Sequence, residues 1–144
     1  MVVKIVAADA QVKFPHYATA SAAGADVSAR LEAEISVEPG ERVRVPTGLF
    51  LEIPEGYEAQ IRPRSGLAFK CGLTVLNAPG TIDSDYRGEL GILLVNLGGE
   101  PVVIRDGDRI AQMVIAPVVR ASFEAAASVS DSGRGQGGFG STGR

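Results

Sequence analysis

Arg42-Val43-Arg44-Val45-Pro46-Thr47-Gly48-Leu49-Phe50-Leu51-Glu52-Ile53, then Pro54-Glu55-Gly56, then Tyr57-Glu58-Ala59-Gln60-Ile61-Arg62-Pro63 decide the fold class. Val43 and Val45 alternate with Arg42 and Arg44, and Leu49, Leu51 and Ile53 continue at period two. Pro54-Glu55-Gly56 is a turn, after which Tyr57, Ala59 and Ile61 alternate up to Pro63. Alternate side chains of an extended chain point to opposite faces, so this spacing reads as two half-buried strands joined by a turn. Outward from it, Leu90 to Val95 is nearly all apolar and predicts a strand buried on both faces, and Ile110 to Val114 is similar. Turn signals recur about every 8–12 residues, the rhythm of an all-β sandwich or barrel.

Two stretches depart from that texture. Ser65 to Lys70 predicts the one convincing helix, with Ser65 as its N-cap and Gly72 where a C-terminal glycine belongs. The alanine-rich segment 121–127 has helical propensity, but the strand texture before it favours extended chain. From about Ser128 glycine takes over, which divides the chain into a domain over residues 1–128 and a flexible C-terminal arm over 129–144. The arm carries Arg134, Phe139, Ser141 and Thr142 among its glycines. Gly135-x-Gly137-x-x-Gly140 superficially matches a dinucleotide-binding loop, and Gly135 to Thr142 a P-loop whose lysine is replaced. Both need a following helix, and the sequence ends a few residues later. What remains is chemistry: backbone N–H groups, an arginine and two hydroxyls that can wrap a polyphosphate.

The 144 residues predict one domain with a real core, and 45% apolar residues are ordinary for a globular chain. A net charge of −3 and a pI near 5.2 argue against binding nucleic acid through a basic face. Cys71 is the only cysteine, so no internal disulfide forms, and a reducing, cytoplasmic setting is the simple reading. His16, the only histidine, is remote in sequence, which disfavours a Cys–His nucleophile. The first residues do not resemble a signal peptide, and no apolar run reaches the ~20 residues of a membrane-spanning helix.

Three segments carry functional chemistry. Pro63-Arg64-Ser65-Gly66-Leu67-Ala68 ends a strand and opens the helix, placing first-turn N–H groups and a fixed positive charge where an anion would sit, although a capped helix with a surface arginine would look the same. Asn77 to Glu89 reads as a hairpin or tight loop with an amide, carboxylates at Asp83 and Asp85, and the aromatic Tyr86. Those groups suffice to recognise a base, stack on a sugar and activate a water, but they are also ordinary turn formers. Gly107-Asp108-Arg109-Ile110-Ala111-Gln112 begins a strand at a turn and puts Gln112 in an apolar run, where its amide needs a partner.

Taken in order, Ala23-Gly24-Ala25-Asp26-Val27, Pro63 to Ala68, Gly80 to Glu89, Gly107 to Gln112 and Arg134 to Gly143 closely resemble the trimeric deoxyuridine triphosphatase family over nearly the whole chain. One departure is Ala25, where many members carry a larger side chain. The resemblance implies a jelly-roll-like distorted β-barrel with one short helix, assembled as a homotrimer with composite active sites. It implies Mg²⁺-dependent hydrolysis of dUTP to dUMP and pyrophosphate, which limits uracil in DNA and supplies dUMP for thymidylate synthesis. It also implies roles. Asp83 would activate the water, and Tyr86 would pack on the deoxyribose and exclude a 2′-hydroxyl. Asn77, with the backbone around Thr81 and Ile82, would read the uracil edge, while Arg64, Ser65, Gly66 and Gln112 would hold phosphates. In the arm, Phe139 would stack on uracil, and Arg134, Ser141 and Thr142, with Gly140 between the aromatic and the hydroxyls, would close on the γ-phosphate. Mg²⁺ would be held chiefly by the triphosphate and reached by Asp26 through water.

The rival in reaction class is the related deoxycytidine triphosphate deaminase family, which uses a glutamate on the strand after the Asn77–Glu89 segment. The equivalent position here is near Leu93, which offers no acid or base for loss of an amine. An RNA-binding role for a glycine-arginine tail is disfavoured by its single Arg-Gly pair and the acidic pI.

Overall fold

A computed structural model describes residues 1–138. The strands in chain order are β1 (Lys4–Ala7), β2 (His16–Tyr17), β3 (Ala25–Ser28), β4 (Ile35–Val37), β5 (Arg42–Glu52) and β6 (Tyr57–Arg62). Helix α1 (Ser65–Cys71) follows, then β7 (Leu73–Val75), β8 (Gly80–Ile82), β9 (Glu89–Asn96), β10 (Val102–Ile104) and β11 (Arg109–Pro117). They form a four-stranded sheet in the order β1-β5-β9-β7, a five-stranded sheet in the order β2-β3-β11-β6-β8, and a β4–β10 ribbon. All pairings are antiparallel. The fold is all-β and jelly-roll-like, with α1 the one helix among the described residues, and its sheets stay open rather than closing into a barrel.

One apolar core joins the two larger sheets. Val45, Leu49 and Leu51 of β5 and Leu90, Ile92 and Leu94 of β9 meet Val27 of β3, Ala59 and Ile61 of β6, and Ala111 and Met113 of β11. The predicted alternation holds: Val45 is buried and Arg44 exposed, and Ala59 and Ile61 are buried on β6. Pro54-Glu55-Gly56 is the turn, with Gly56 at φ 83° and the Tyr57 N–H donating to the Pro54 carbonyl at 3.2 Å. Ala25 is itself buried, so the small side chain beside Asp26 packs inside the sheet.

Three expectations change. Ser65 is not the N-cap: it is the first helical residue, and Arg64 caps the helix in an extended conformation with no side-chain cap bond. The C-terminal half of that reading stands, because Gly72 is left-handed at φ 70° and donates to the Ala68 carbonyl. Residues 77–89 are not a hairpin, since β8 pairs with β6 and β9 with β5 and β7, so the segment crosses from one sheet to the other. Finally, β9 is not buried on both faces: Leu93 is 39% exposed between buried Ile92 and Leu94. Residues 121–127 form neither helix nor strand.

Candidate active site

The five-stranded sheet places the first group of side chains. Asp26 on β3 faces Gln112 on β11, which in turn faces Arg62 on β6. Beyond Arg62, Pro63 ends the strand and Arg64 turns the chain into α1. Arg64 donates from Nε to Asp26 Oδ1 at 2.9 Å and from Nη1 to the Arg109 carbonyl at 3.2 Å. Arg109 donates from Nη1 to Asp26 Oδ2 at 2.9 Å. Both oxygens of a carboxylate only 15% exposed are therefore claimed by arginines. Gln112 finds its partner: its Nε2 donates to the Pro63 carbonyl at 2.9 Å, holding the entrance to the helix. Its Oε1 presses on Gly24, where an added Cβ would lie 2.5 Å away. Ser65 and Gly66 are exposed, the first turn carries no acidic residue, and a Cβ at Gly66 would meet nothing within 4 Å. The result is a positively charged backbone rim open to an anion.

The sheet-crossing segment builds a second group. Thr81, Ile82, Asp83 and Tyr86 line a cleft of about 280 Å³ with Arg44, Glu89, Gly91 and Leu93. Tyr86 lies over Gly88, which has no side chain to oppose it, and donates from Oη to the Glu89 carbonyl at 3.2 Å. The Tyr86 N–H donates to the Asp83 carbonyl at 3.2 Å, and Arg87 Nη1 donates to the Ser84 carbonyl at 2.7 Å, so the loop is folded on itself. Asp83 is exposed and also borders a wider hollow of about 800 Å³ with Glu52, Glu55, Asp85, Arg87 and Arg120 among its walls. Carboxylates there would repel a polyphosphate, whereas Ile82, Tyr86 and Leu93 give the smaller cleft the apolar walls that a nucleoside needs. Asn77 is exposed just before β8, its amide 3.1 Å from the position a Cβ on Gly80 would take.

One chain does not bring the two groups together. Gly80, Thr81 and Ile82 pair with Ile61, Gln60 and Ala59, so Asp83 leaves β6 at one end while Arg64 leaves it at the other. At the rise of a strand, that offset is roughly 20 Å. Arg134 is exposed, and its Nε donates to the Gly137 carbonyl of its own turn at 2.7 Å. Phe139, Gly140, Ser141 and Thr142 lie outside the described residues.

Sequence reasoning assigned no role to Arg109 or Arg44. Arg109 was visible inside Gly107 to Gln112, but only the strand register shows it sharing Asp26 with Arg64. Arg44 alternates with valines like any solvent-facing residue and carries no sequence signal of the cleft it enters. Among the described residues no three His, Cys, Asp or Glu side chains gather as a metal site. Each Asp26 oxygen keeps a lone pair beyond its bond to an arginine and can accept one further hydrogen bond.

The chain resembles known proteins over most of its length. A sequence model of the dUTPase family matches residues 10–143. The deoxyuridine 5'-triphosphate nucleotidohydrolase of Bdellovibrio bacteriovorus is 58% identical over 130 residues, covering 90% of this chain and 87% of that protein. The enzyme of the same name from Roseobacter denitrificans is 57% identical over 137 residues, covering 94% and 90%. Among solved structures, the dUTPase of Staphylococcus bacteriophage 80alpha with dUpNHpp superposes with a TM-score of 0.86 at 27% identity, covering 99% of each chain. The phage phi11 dUTPase from S. aureus, described with a structural Mg(II) ion, shares the fold with a TM-score of 0.81 at 22% identity, covering 91% of this chain and 100% of that one.

Proposed function

The chain belongs to the dUTPase family and hydrolyses dUTP to dUMP, and we propose that it does so at composite sites of a homotrimer, with Asp83 as the base. The observation that carries the composite site is the separation of the nucleoside cleft from the Arg64 rim at opposite ends of β6. A triphosphate cannot bridge that separation while its nucleoside lies in the cleft of the same chain. Cyclic symmetry resolves this by setting the cleft of one subunit against the rim of the next.

In this reading the uracil edge meets Asn77 and the backbone of Thr81 and Ile82, and the deoxyribose packs on Tyr86. Arg64, Ser65, Gly66 and Gln112 of a second subunit hold the phosphates. Asp83 takes a proton from the attacking water as its oxygen bonds to the α-phosphorus. The α–β bridging P–O bond then breaks, and pyrophosphate carries away the electron pair. Charge grows on phosphate oxygens, so positioned N–H groups and arginines lower the barrier more than covalent chemistry would. Mg²⁺ bound to the triphosphate would add counter-charge, with Asp26 holding its water. Residues 129–144 form an arm from a third subunit, with Arg134, Ser141 and Thr142 at the γ-phosphate and Phe139 on the base, excluding water as it closes. The reading includes a cytoplasmic location, supported by the lone Cys71, and no helix among the described residues is long and apolar enough to cross a membrane.

Incubation with dUTP and with dCTP tests the reaction class. Pyrophosphate from dUTP and no ammonia from dCTP are expected, because Leu93 brings only an apolar wall to the cleft. Ammonia from dCTP would overturn the reading.

A further inference from the structure

Glu89 joins the loop before β9 to two points on β5. Its carbonyl accepts from Tyr86 Oη at 3.2 Å and from Arg44 Nη2 at 3.3 Å. Its carboxylate Oε1 accepts from the Gly48 N–H at 2.8 Å, and Oε2 stands 3.9 Å from Arg44 Nη2. Arg44 reaches this carbonyl because Gly91 has no side chain: a Cβ there would fall on the guanidinium, 2.5 Å from Cζ. The guanidinium thus occupies the volume that a side chain at 91 would take, inside the cleft that Tyr86 walls.

We propose that Arg44 is a positioning residue for discrimination between 2′-deoxy and 2′-hydroxy nucleotides, acting through the Glu89 carbonyl on Tyr86, and that Gly91 is required to admit it. A carbonyl with one donor swings with that donor, whereas two donors, Tyr86 from the loop before β9 and Arg44 from β5, pin it. Arginine suits the position because its planar fork holds a fixed direction, which a lysine ammonium does not. Most of the fork remains free to face the ligand, since one N–H goes to Glu89. This inference rests on the reading of the cleft as the nucleoside site.

The test is the ratio of kcat/KM for dUTP over UTP in the full-length enzyme carrying Arg44→Ala, Gly91→Ala, both together, Arg44→Lys, and Tyr86→Ala as control. Arg44→Ala is expected to lower the ratio about fivefold, less than the roughly 10–200-fold available to a packing wall and expected for Tyr86→Ala. Gly91→Ala should match Arg44→Ala by expelling the guanidinium, and the double variant should be no worse than either, because the two act as one unit. Arg44→Lys should recover only part of the loss. If Tyr86→Ala lowers the ratio while Arg44→Ala leaves it unchanged, the role of Arg44 is overturned and the cleft reading stands. If the double variant shows the product of the single effects, the proposed linkage is overturned. If Tyr86→Ala also leaves the ratio unchanged, both fall together. A change in melting temperature without a change in ratio would mark Arg44 as merely structural.

Discussion

Arg64 donates from Nε to Asp26 Oδ1 at 2.9 Å, so the residue that caps the helix is tied to the carboxylate on β3 of the five-stranded sheet. Arg109 holds the other oxygen, and the acid sits between two cations. The pair is partly buried, at 26% and 15% side-chain exposure, which makes it worth more than a surface ion pair. Asp26→Ala is expected to cost about 1–2 kcal/mol, mainly by leaving the half-buried Arg64 Nε without its acceptor, because Arg109 is 57% exposed and stays solvated. It should also raise the Mg²⁺ concentration needed for half-maximal activity. Urea denaturation and a Mg²⁺ titration check the two parts; an unchanged Mg²⁺ requirement would confine Asp26 to holding the arginines.

Asp83→Asn should preserve folding and nucleotide binding and reduce turnover by at least ~10², because the amide is nearly isosteric but accepts no proton. Binding of dUpNHpp, measured by calorimetry, separates the two effects. Turnover within a few-fold of the parent would transfer the role to Asp85.

Gly88→Ala places a Cβ against the Tyr86 ring, 2.5 Å from Cζ. The ring must move, so UTP discrimination should fall by about tenfold or more, as for removal of the ring itself. Melting temperature should change little, because Gly88 lies outside the core cluster. Retained discrimination would show that the ring's resting place is not the one that excludes a 2′-hydroxyl.

The facing of β9, a continuous apolar run, was misread, but where apolar residues alternate, as in Val45, Leu49 and Leu51, burial was legible directly. Partnership was not. Asn77 to Glu89 reads as a hairpin or tight loop, yet β8 at its start pairs with β6, and β9 at its end pairs with β5 and β7. Periodicity records which face is dry and is silent about which edge donates hydrogen bonds. Ser65 failed as a cap for a related reason: Pro63 ends β6 one residue earlier than a serine cap would need, so Arg64 takes the boundary and Ser65 enters the first turn. The site motifs were legible as chemistry, while the sharing of Asp26 by two arginines and the convergence of Tyr86 and Arg44 on one carbonyl exist only in three dimensions.

Removing residues 134–144 should leave the melting temperature within about 2 °C of the parent and abolish most activity. The hydrogen bonds of the described part are local, from Gly135 N to Ser132 Oγ and from Arg134 Nε to the Gly137 carbonyl, and so add little to the core. A large drop in melting temperature would show that the segment belongs to the body.

Mixing two dead variants tests subunit sharing. Asp83→Asn and the 134–144 deletion should each be nearly inactive as homotrimers. Co-refolded at equal ratio, a site works when its cleft comes from the truncated chain and its arm from the Asp83 variant, about a quarter of sites under random assembly into closed rings. Activity near that fraction of the parent is expected. A mixture that stays inactive would place cleft and arm on the same chain.

Residues 83–88 cross from the five-stranded to the four-stranded sheet, and this makes the proposed nucleoside cleft a gauge of the interior. Packed sheets stand about 10 Å apart, a spacing set by the side chains between them. Leu90 and Ile61 are two of those spacers, buried in the core and not among the residues that line the cleft. Enlarging or trimming either would tilt one sheet on the other and change the aperture between Tyr86 and Leu93. If the cleft holds the nucleoside as proposed, variants with altered nucleotide preference should arise at core positions that do not line it.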